Sequence, residues 1–418
     1  MRSTLAMIFV LATLLASCSN SRRTGSSQSP YRELNAKMAR VKMLQNSYEE
    51  IELRVPEAGQ KTLLEKTEKL AAKNIILFIG DGVGAAQLQA CRYKYYGYEG
   101  SLNLERMPVS GLVSTHPSDT TLITDSAAGA TAIATGHKTK VGMVGMSADS
   151  IPRQTILEYF QSEGASTGLV SFGSINNATP ASFGTHAVSR ENKADITRQL
   201  LSAKINFLWG DSDNFFIDGI TESTVKEYGY VLYQDQDLVT TDFENDSRIY
   251  LYDSLISESM SISSNQFSPV KGVPSLAEAT EHAITSLSNN PAGFFLMVEE
   301  DWTDSWGHDM KGNLVLEHVK NLDDAIAVAL KFASENPETL VIFTADHETG
   351  GMTITESSTT QNKMWLHFST YEHTAASVLY YAFGAGSSLL KGNIDNTDLF
   401  HAMKAARQNY TRSMGLKK

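Results

Sequence analysis

The sequence predicts an α/β fold, a central, mostly parallel β-sheet with helices on both faces. Three observations predict it: short apolar runs recur along the chain, segments of helical periodicity lie between them, and carboxylates or histidines follow several runs directly. A short run that is apolar at every position fits a strand covered on both faces, the usual state in a parallel sheet. Residues 74–80, 167–172, 205–209, 293–299, 339–345 and 378–384 are all apolar enough to be buried on both faces.

Taken from the N-terminus, residues 1–17 read as an export signal, with Arg2 ahead of the apolar stretch Leu5 to Leu15. Leu15-Ala16-Ser17-Cys18 resembles a bacterial lipobox. That resemblance implies lipid attachment to Cys18 and an exported protein, periplasmic or cell-surface, tethered to a bacterial membrane without spanning it. The apolar run is well short of the ~20 residues a membrane-crossing helix needs. Residues 18–30, a polar tract rich in Ser and ending at Pro30, have nothing to bury and read as a flexible tether. Residues 31–72 carry mixed charge and are helix-prone, broken at Pro56 and Gly59, and read as an N-terminal extension.

Residues 73–411 form the expected globular domain. Its clearest helix runs from Leu314 to Ser334: Leu316, Val319, Leu322, Ala325, Ile326, Ala329 and Leu330 recur on one side, Glu317, Lys320, Asp323 and Lys331 on the other. Residues 211–270 are rich in Ser, Asp, Asn and Tyr and break the rhythm, as an inserted subdomain or long surface excursion would.

The chain has 418 residues, 42% of them hydrophobic, enough for a large core. Its formal net charge of −12 argues against nucleic-acid recognition and non-specific adhesion to anionic surfaces. An acidic protein that handles phosphate must therefore place positive charge locally, as metal ions or an arginine. With only two cysteines, and Cys18 assigned to lipid, disulfides do not hold the fold; Cys91 reads as a small buried hydrophobe in a helix.

Asp81 follows the run 74–80, Glu299 and Asp304 follow 293–298, and Asp346-His347 follow 340–345. In an open parallel sheet, ligands gather outside the carboxyl ends of the strands, so these residues point to one shared site. Carboxylate oxygens and imidazole nitrogens suit zinc or magnesium. Ser126, in Thr124-Asp125-Ser126-Ala127-Ala128, sits where a loop meets a run of small residues that reads as a tightly packed helix. There its hydroxyl is close to the free N–H groups and positive end of the helix, although an isolated Asp-Ser is more often simply a cap. Asp304 and His308 are one turn apart and able to reach one ion, a spacing that by itself is weak. Arg190, read alone, is a solvated helix residue.

Context decides these cases. Residues 73–84, 113–145, 177–190, 294–308, 339–351, 372–374 and 395–406 resemble, in order, the signature blocks of the alkaline phosphatases. Thr-Asp-Ser-Ala-Ala together with Thr-Ala-Asp-His-Glu-Thr-Gly-Gly is highly specific. The resemblance implies an alkaline-phosphatase-like sheet and hydrolysis of small-molecule phosphate monoesters through a phosphoserine on Ser126, with Arg190 gripping the phosphoryl oxygens. It also implies one Zn2+ on Asp304, His308 and His373, a second on Asp81, Asp346 and His347, and an Mg2+ on Asp81, Thr179 and Glu299, with Asp125, Asn177 and Ser305 around these ligands. It leaves a homodimer open.

Two positions depart from the best-known bacterial pattern. Asn177 stands where those enzymes place Asp near the magnesium, and Ser305 where they place a Lys that reaches phosphate through water. The first puts magnesium at the third site in question; the second bears on phosphate release. The competing reading within the superfamily is a phosphodiesterase or phosphonate hydrolase, but such relatives commonly carry Thr as nucleophile and lack the Thr179 and Glu299 pair. A sulfatase would need a Cys- or Ser-x-Pro-x-Arg motif, which does not occur. A lipid-anchored binding protein without turnover would be expected to have lost a ligand or the nucleophile.

Overall fold

The computed structural model describes residues 47–54, 63–234, 248–252 and 274–415, all within one compact unit, Ser47–Lys418. The segments expected to be an export signal and a tether, with Cys18, and most of the expected N-terminal extension lie outside the described residues. Among the described residues, no helix is long and apolar enough to cross a membrane.

In chain order the elements are β1 (Tyr48–Glu52), β2 (Asn74–Gly80), α1 (Ala85–Tyr96), β3 (Val109–Ser114), α2 (Ser126–Thr135), α3 (Ile156–Ser162), β4 (Ser166–Ser174), α4 (Ala178–Gly184), α5 (Lys193–Ser202) and β5 (Phe207–Asp211). Then come α6 (Glu222–Glu227), β6 (Val231–Gln234), β7 (Arg248–Tyr252), α7 (Leu276–Leu287), β8 (Phe294–Glu300), α8 (Trp302–His308), α9 (Gly312–Glu335), β9 (Thr339–Thr344) and β10 (Glu348–Thr349). The chain closes with β11 (Met352–Ser358), β12 (Lys363–Phe368), β13 (His373–Thr374), β14 (Val378–Gly384), β15 (Ile394–Asp395) and α10 (Asn396–Ser413).

Ten strands form the central sheet in the order β15-β3-β14-β9-β2-β8-β4-β5-β7-β6. Every pairing is parallel except those of β14 with β3 and β9. The expected mostly parallel α/β architecture is therefore what forms. Strands β2, β8 and β9 are buried at every position, which is why their sequences read as unbroken apolar runs. Successive side chains at the end of β8 point to opposite faces. Glu300 bonds His318 and Asn321 of α9 at 2.8 and 2.7 Å, whereas Glu299 accepts from Ser171 Oγ at 2.6 Å on the other side. Helices thus cover both faces.

Four expectations are corrected. Residues 48–52, within the helix-prone extension, form a strand, because β12 offers an antiparallel partner in the register Tyr48 to His367. The described parts of the 211–270 segment do not stand apart: β7 pairs with β5, and β6 with β7, so they extend the central sheet. The run 205–209 is shifted, with strand β5 at 207–211. Strand β14 is only half-buried, its alternate residues Leu379, Tyr381 and Phe383 partly exposed. Cys91 is fully buried and free, as expected.

Candidate active site

The neighbouring strands β9, β2, β8 and β4 run in the same direction, so the loops leaving their carboxyl ends meet on one edge of the sheet. Asp81 leaves β2. Asp304 and His308 sit on α8 just after β8, Asp346 and His347 follow β9, and Asn177 and Thr179 follow β4. His373 arrives from far along the chain through a two-residue ladder that pairs it with Thr349.

Helix α2 supplies the serine. It is built of small residues and is buried along its whole length, and the Asp125 carboxylate caps it by accepting from Ala128 N at 3.0 Å. A Cβ on Gly129 would come within 2.9 Å of the Asp346 carbonyl oxygen, so the absent side chain lets the helix rest against the end of β9. Ser126, the first residue of α2, is 4% exposed, and its Oγ lies 3.3 Å from His347 Nε2.

The acidic and histidine side chains form connected groups. His347 Nε2 is 3.4 Å from Asp81 Oδ1 and 3.3 Å from Asp346 Oδ2. Asp304 lies 3.2 Å from His308 Nε2 and 3.4 Å from His373 Nε2. His308 and His373 bring their Nε2 atoms to 3.1 Å of each other, and the His347 and His373 rings stack with centroids 3.6 Å apart. Ligand atoms of Asp81, Asp346 and His347, of Asp304, His347 and His373, and of Asp81, Glu299 and Asp301 each lie within 4.8 Å of one another.

The donor set fits divalent cations. His308 Nδ1 donates to the Tyr371 carbonyl at 2.6 Å and His373 Nδ1 to the Thr124 carbonyl at 2.8 Å, which leaves both Nε2 atoms facing the site, where a cation would replace any proton they carry. His347 Nδ1 meets the Thr349 hydroxyl at 3.2 Å. Asp81 Oδ1, Thr179 Oγ1, Glu299 Oε1 and Asp346 Oδ2 are buried at this edge with no hydrogen-bond partner, a costly arrangement unless a cation faces them.

The electrostatics agree. Burial and then mutual repulsion push Asp81 and Glu299 well above the carboxylate range, and burial together with Asp304 raises Asp346 to about 7. Asp304 goes the other way: against its burial, hydrogen bonds from His308 and His373 hold it well below its ordinary value. The same bond raises His308 to about 9, whereas burial and the neighbouring His373 push His347 well down. Positive charge placed among these groups would keep the carboxylates ionised.

Arg190 lies in the loop between α4 and α5, not on a helix. Its Nη1 is 3.4 Å from Asp125 Oδ2 and its Nη2 donates to Asn177 Oδ1 at 3.1 Å. The structure thus ties the guanidinium to the cap of the serine-bearing helix. Ser305 is exposed on α8, and both ring nitrogens of His186 have partners, Gly145 O at 2.6 Å and Glu158 at 2.9 Å.

Three residues escape the sequence reading. Asp301 joins Asp81 and Glu299, Lys193 Nζ donates to Asn177 Oδ1 at 3.1 Å, and Thr349 Oγ1 donates a short bond to Asp304. The acidic run Glu299-Glu300-Asp301 at a strand end was a signal for the first. Lys193 gives none, since it opens an ordinary amphipathic helix.

The profile of the family described as Alkaline phosphatase matches residues 72–255 and 220–368. Alkaline phosphatase 4 of Bacillus subtilis is 32% identical over 308 residues, spanning 71% of this chain and 65% of that protein. Alkaline phosphatase of Escherichia coli is 30% identical over 404 residues, 80% of this chain and 86% of that protein. Among solved structures, the alkaline phosphatase of the Antarctic bacterium TAB5 superposes with a TM-score of 0.72 at 30% identity, covering 82% of this chain and 99% of that one. A mutant form of that enzyme, similar at a TM-score of 0.71, is described with magnesium bound.

Proposed function

The chain belongs to the alkaline phosphatase family, a family of phosphoric monoester hydrolases, and we propose that it hydrolyses phosphate monoesters through a phosphoserine formed on Ser126. The observation that carries this reading is the approach of Ser126 Oγ, at the positive end of α2, to the ring of His347, within a set of carboxylates and imidazoles able to hold divalent cations.

Asp304, His308 and His373 would hold one zinc, Asp81, Asp346 and His347 a second, and Asp81, Thr179 and Glu299 a magnesium. Bound there, such ions lower the pKa of nearby hydroxyl and water and offset charge on phosphoryl oxygens. The protein's own groups do the positioning. The cap by Asp125 fixes the first turn of α2 and with it the position of the Ser126 hydroxyl. Asp125 and Asn177 each engage one N–H of Arg190, leaving the fork with donors for two phosphoryl oxygens. Asp125 and Asp81 also raise the Arg190 pKa despite its burial, so this charge persists at alkaline pH.

Recognition centred on the phosphoryl group predicts broad monoester specificity. The test compares a monoester with a diester, with and without chelator, for wild type and Ser126→Ala. Monoester turnover that exceeds diester turnover and vanishes with chelator or without Ser126 supports the reading; faster diester turnover overturns it. The reading includes export and lipid attachment at Cys18, tested by whether Cys18→Ala moves the protein from the detergent phase to the aqueous phase.

A further inference from the structure

The third cation site has a carboxylate that the resemblance does not supply. Where the best-known bacterial relatives carry Asp, this chain has Asn177, and its amide nitrogen donates to Asp301 Oδ1 at 3.3 Å. Asp301 follows β8 directly, and its carboxylate lies within 4.8 Å of the ligand atoms of Asp81 and Glu299. Of the consecutive acids 299 to 301, Glu300 faces α9 and is fully engaged there, while Glu299 and Asp301 face the site. The neighbouring strand makes room for it: a Cβ on Gly173 of β4 would come within 2.5 Å of Asp301 Oδ2. Two fully buried atoms at the same place, Glu299 Oε1 and Thr179 Oγ1, make no well-formed hydrogen bond and at most face each other, which independently marks a position for a ligand.

We infer that Asp301 is a ligand-site carboxylate of the third metal, which together with Asp81, Glu299 and Thr179 selects a hard divalent cation, magnesium, and takes over the charge missing at Asn177. This rests on the reading of Asp81, Thr179 and Glu299 given above. Asn177 has the complementary part of a positioning residue. Its amide nitrogen faces Asp301, and its oxygen accepts from Arg190 Nη2 and Lys193 Nζ, each at 3.1 Å. One amide thereby joins the metal-site carboxylate to the phosphate-gripping arginine. An aspartate at 177 would stand 3.3 Å from a second carboxylate and repel it, whereas the Asn177 amide donates to Asp301.

The experiment is calorimetric titration of the full zinc-loaded chain with magnesium chloride, alongside metal analysis. Asp301→Asn keeps the shape and removes the charge; its magnesium affinity is expected to fall at least ~10-fold with zinc content unchanged. The exchange variant Asn177→Asp/Asp301→Asn returns the carboxylate from the opposite side and is expected to recover affinity to within about threefold of wild type. Wild-type affinity in Asp301→Asn, or a loss that the exchange leaves in place, overturns the role of Asp301. A wild-type chain that retains zinc but takes up no magnesium overturns the third site itself, and one that binds neither metal overturns the underlying reading.

Discussion

Ser126 Oγ stands 3.3 Å from His347 Nε2, and that same nitrogen is 3.3 Å from Asp346 Oδ2 and 3.4 Å from Asp81 Oδ1. A hydroxyl that shares its neighbour with two carboxylates, proposed above as the nucleophile, depends on what those three groups hold together. His347→Ala is therefore expected to lose about one of two zinc ions per chain and at least ~1,000-fold in kcat. Metal analysis with steady-state kinetics checks this, and full zinc content with near-normal turnover would refute it. Chelation of the wild type should abolish activity, and added zinc should restore it.

Arg190 is braced at one nitrogen by Asp125 and at the other by Asn177. A lysine there keeps the charge but cannot present two donors in a plane. Arg190→Lys is expected to weaken competitive inhibition by inorganic phosphate about tenfold or more while leaving the zinc sites filled. An unchanged inhibition constant would show that the guanidinium does not grip phosphate.

Gly129 is the point where α2 rests on the end of β9. Adding a methyl group 2.9 Å from the Asp346 carbonyl oxygen forces the helix outward, and Ser126 moves with it. Gly129→Ala is expected to lower stability by about 1–3 kcal/mol and kcat by ~100-fold. Chemical denaturation and kinetics together test it; a variant of normal stability and rate would mean that the helix does not set the position of the serine.

His186 and Glu158 form a pair away from the metal ligands, 2.9 Å apart. The bond to Glu158 raises the His186 pKa above its ordinary 6.5. Against burial, the bond to His186 lowers Glu158 below its ordinary 4.5. The raised histidine contributes stability fully below its unfolded pKa and loses it as pH rises through the folded value. The lowered glutamate contributes above its unfolded pKa and loses it as pH falls through the folded value. His186→Gln should therefore depress Tm most between pH 4.5 and 6.5 and least in alkaline buffer. A depression that grows with pH would contradict the pairing.

How far the sequence reads depends on what fixes each feature. Strands β2, β8 and β9 are legible because both their faces are covered, so polar residues fall only at their ends, and the candidate ligands there stand out against that background. Strand β3, with the burial of its residues alternating and several of them exposed, carries no such signal, and β1 exists only because β12, some 300 residues away, pairs with it. Asp81, Asp304, Asp346 and His347 are marked by local position. Asp301 is marked only by the acidic run at the end of β8, and Lys193 acquires meaning only from the tertiary packing that brings it to Asn177.

The most direct test of the central claim is acid quenching of the zinc-loaded enzyme during turnover of a phosphorus-labelled monoester, followed by peptide mapping. The account predicts label on the peptide that carries Ser126, and none in Ser126→Ala. Rapid turnover with label on another residue, or a Ser126→Ala variant as active as wild type, would contradict it.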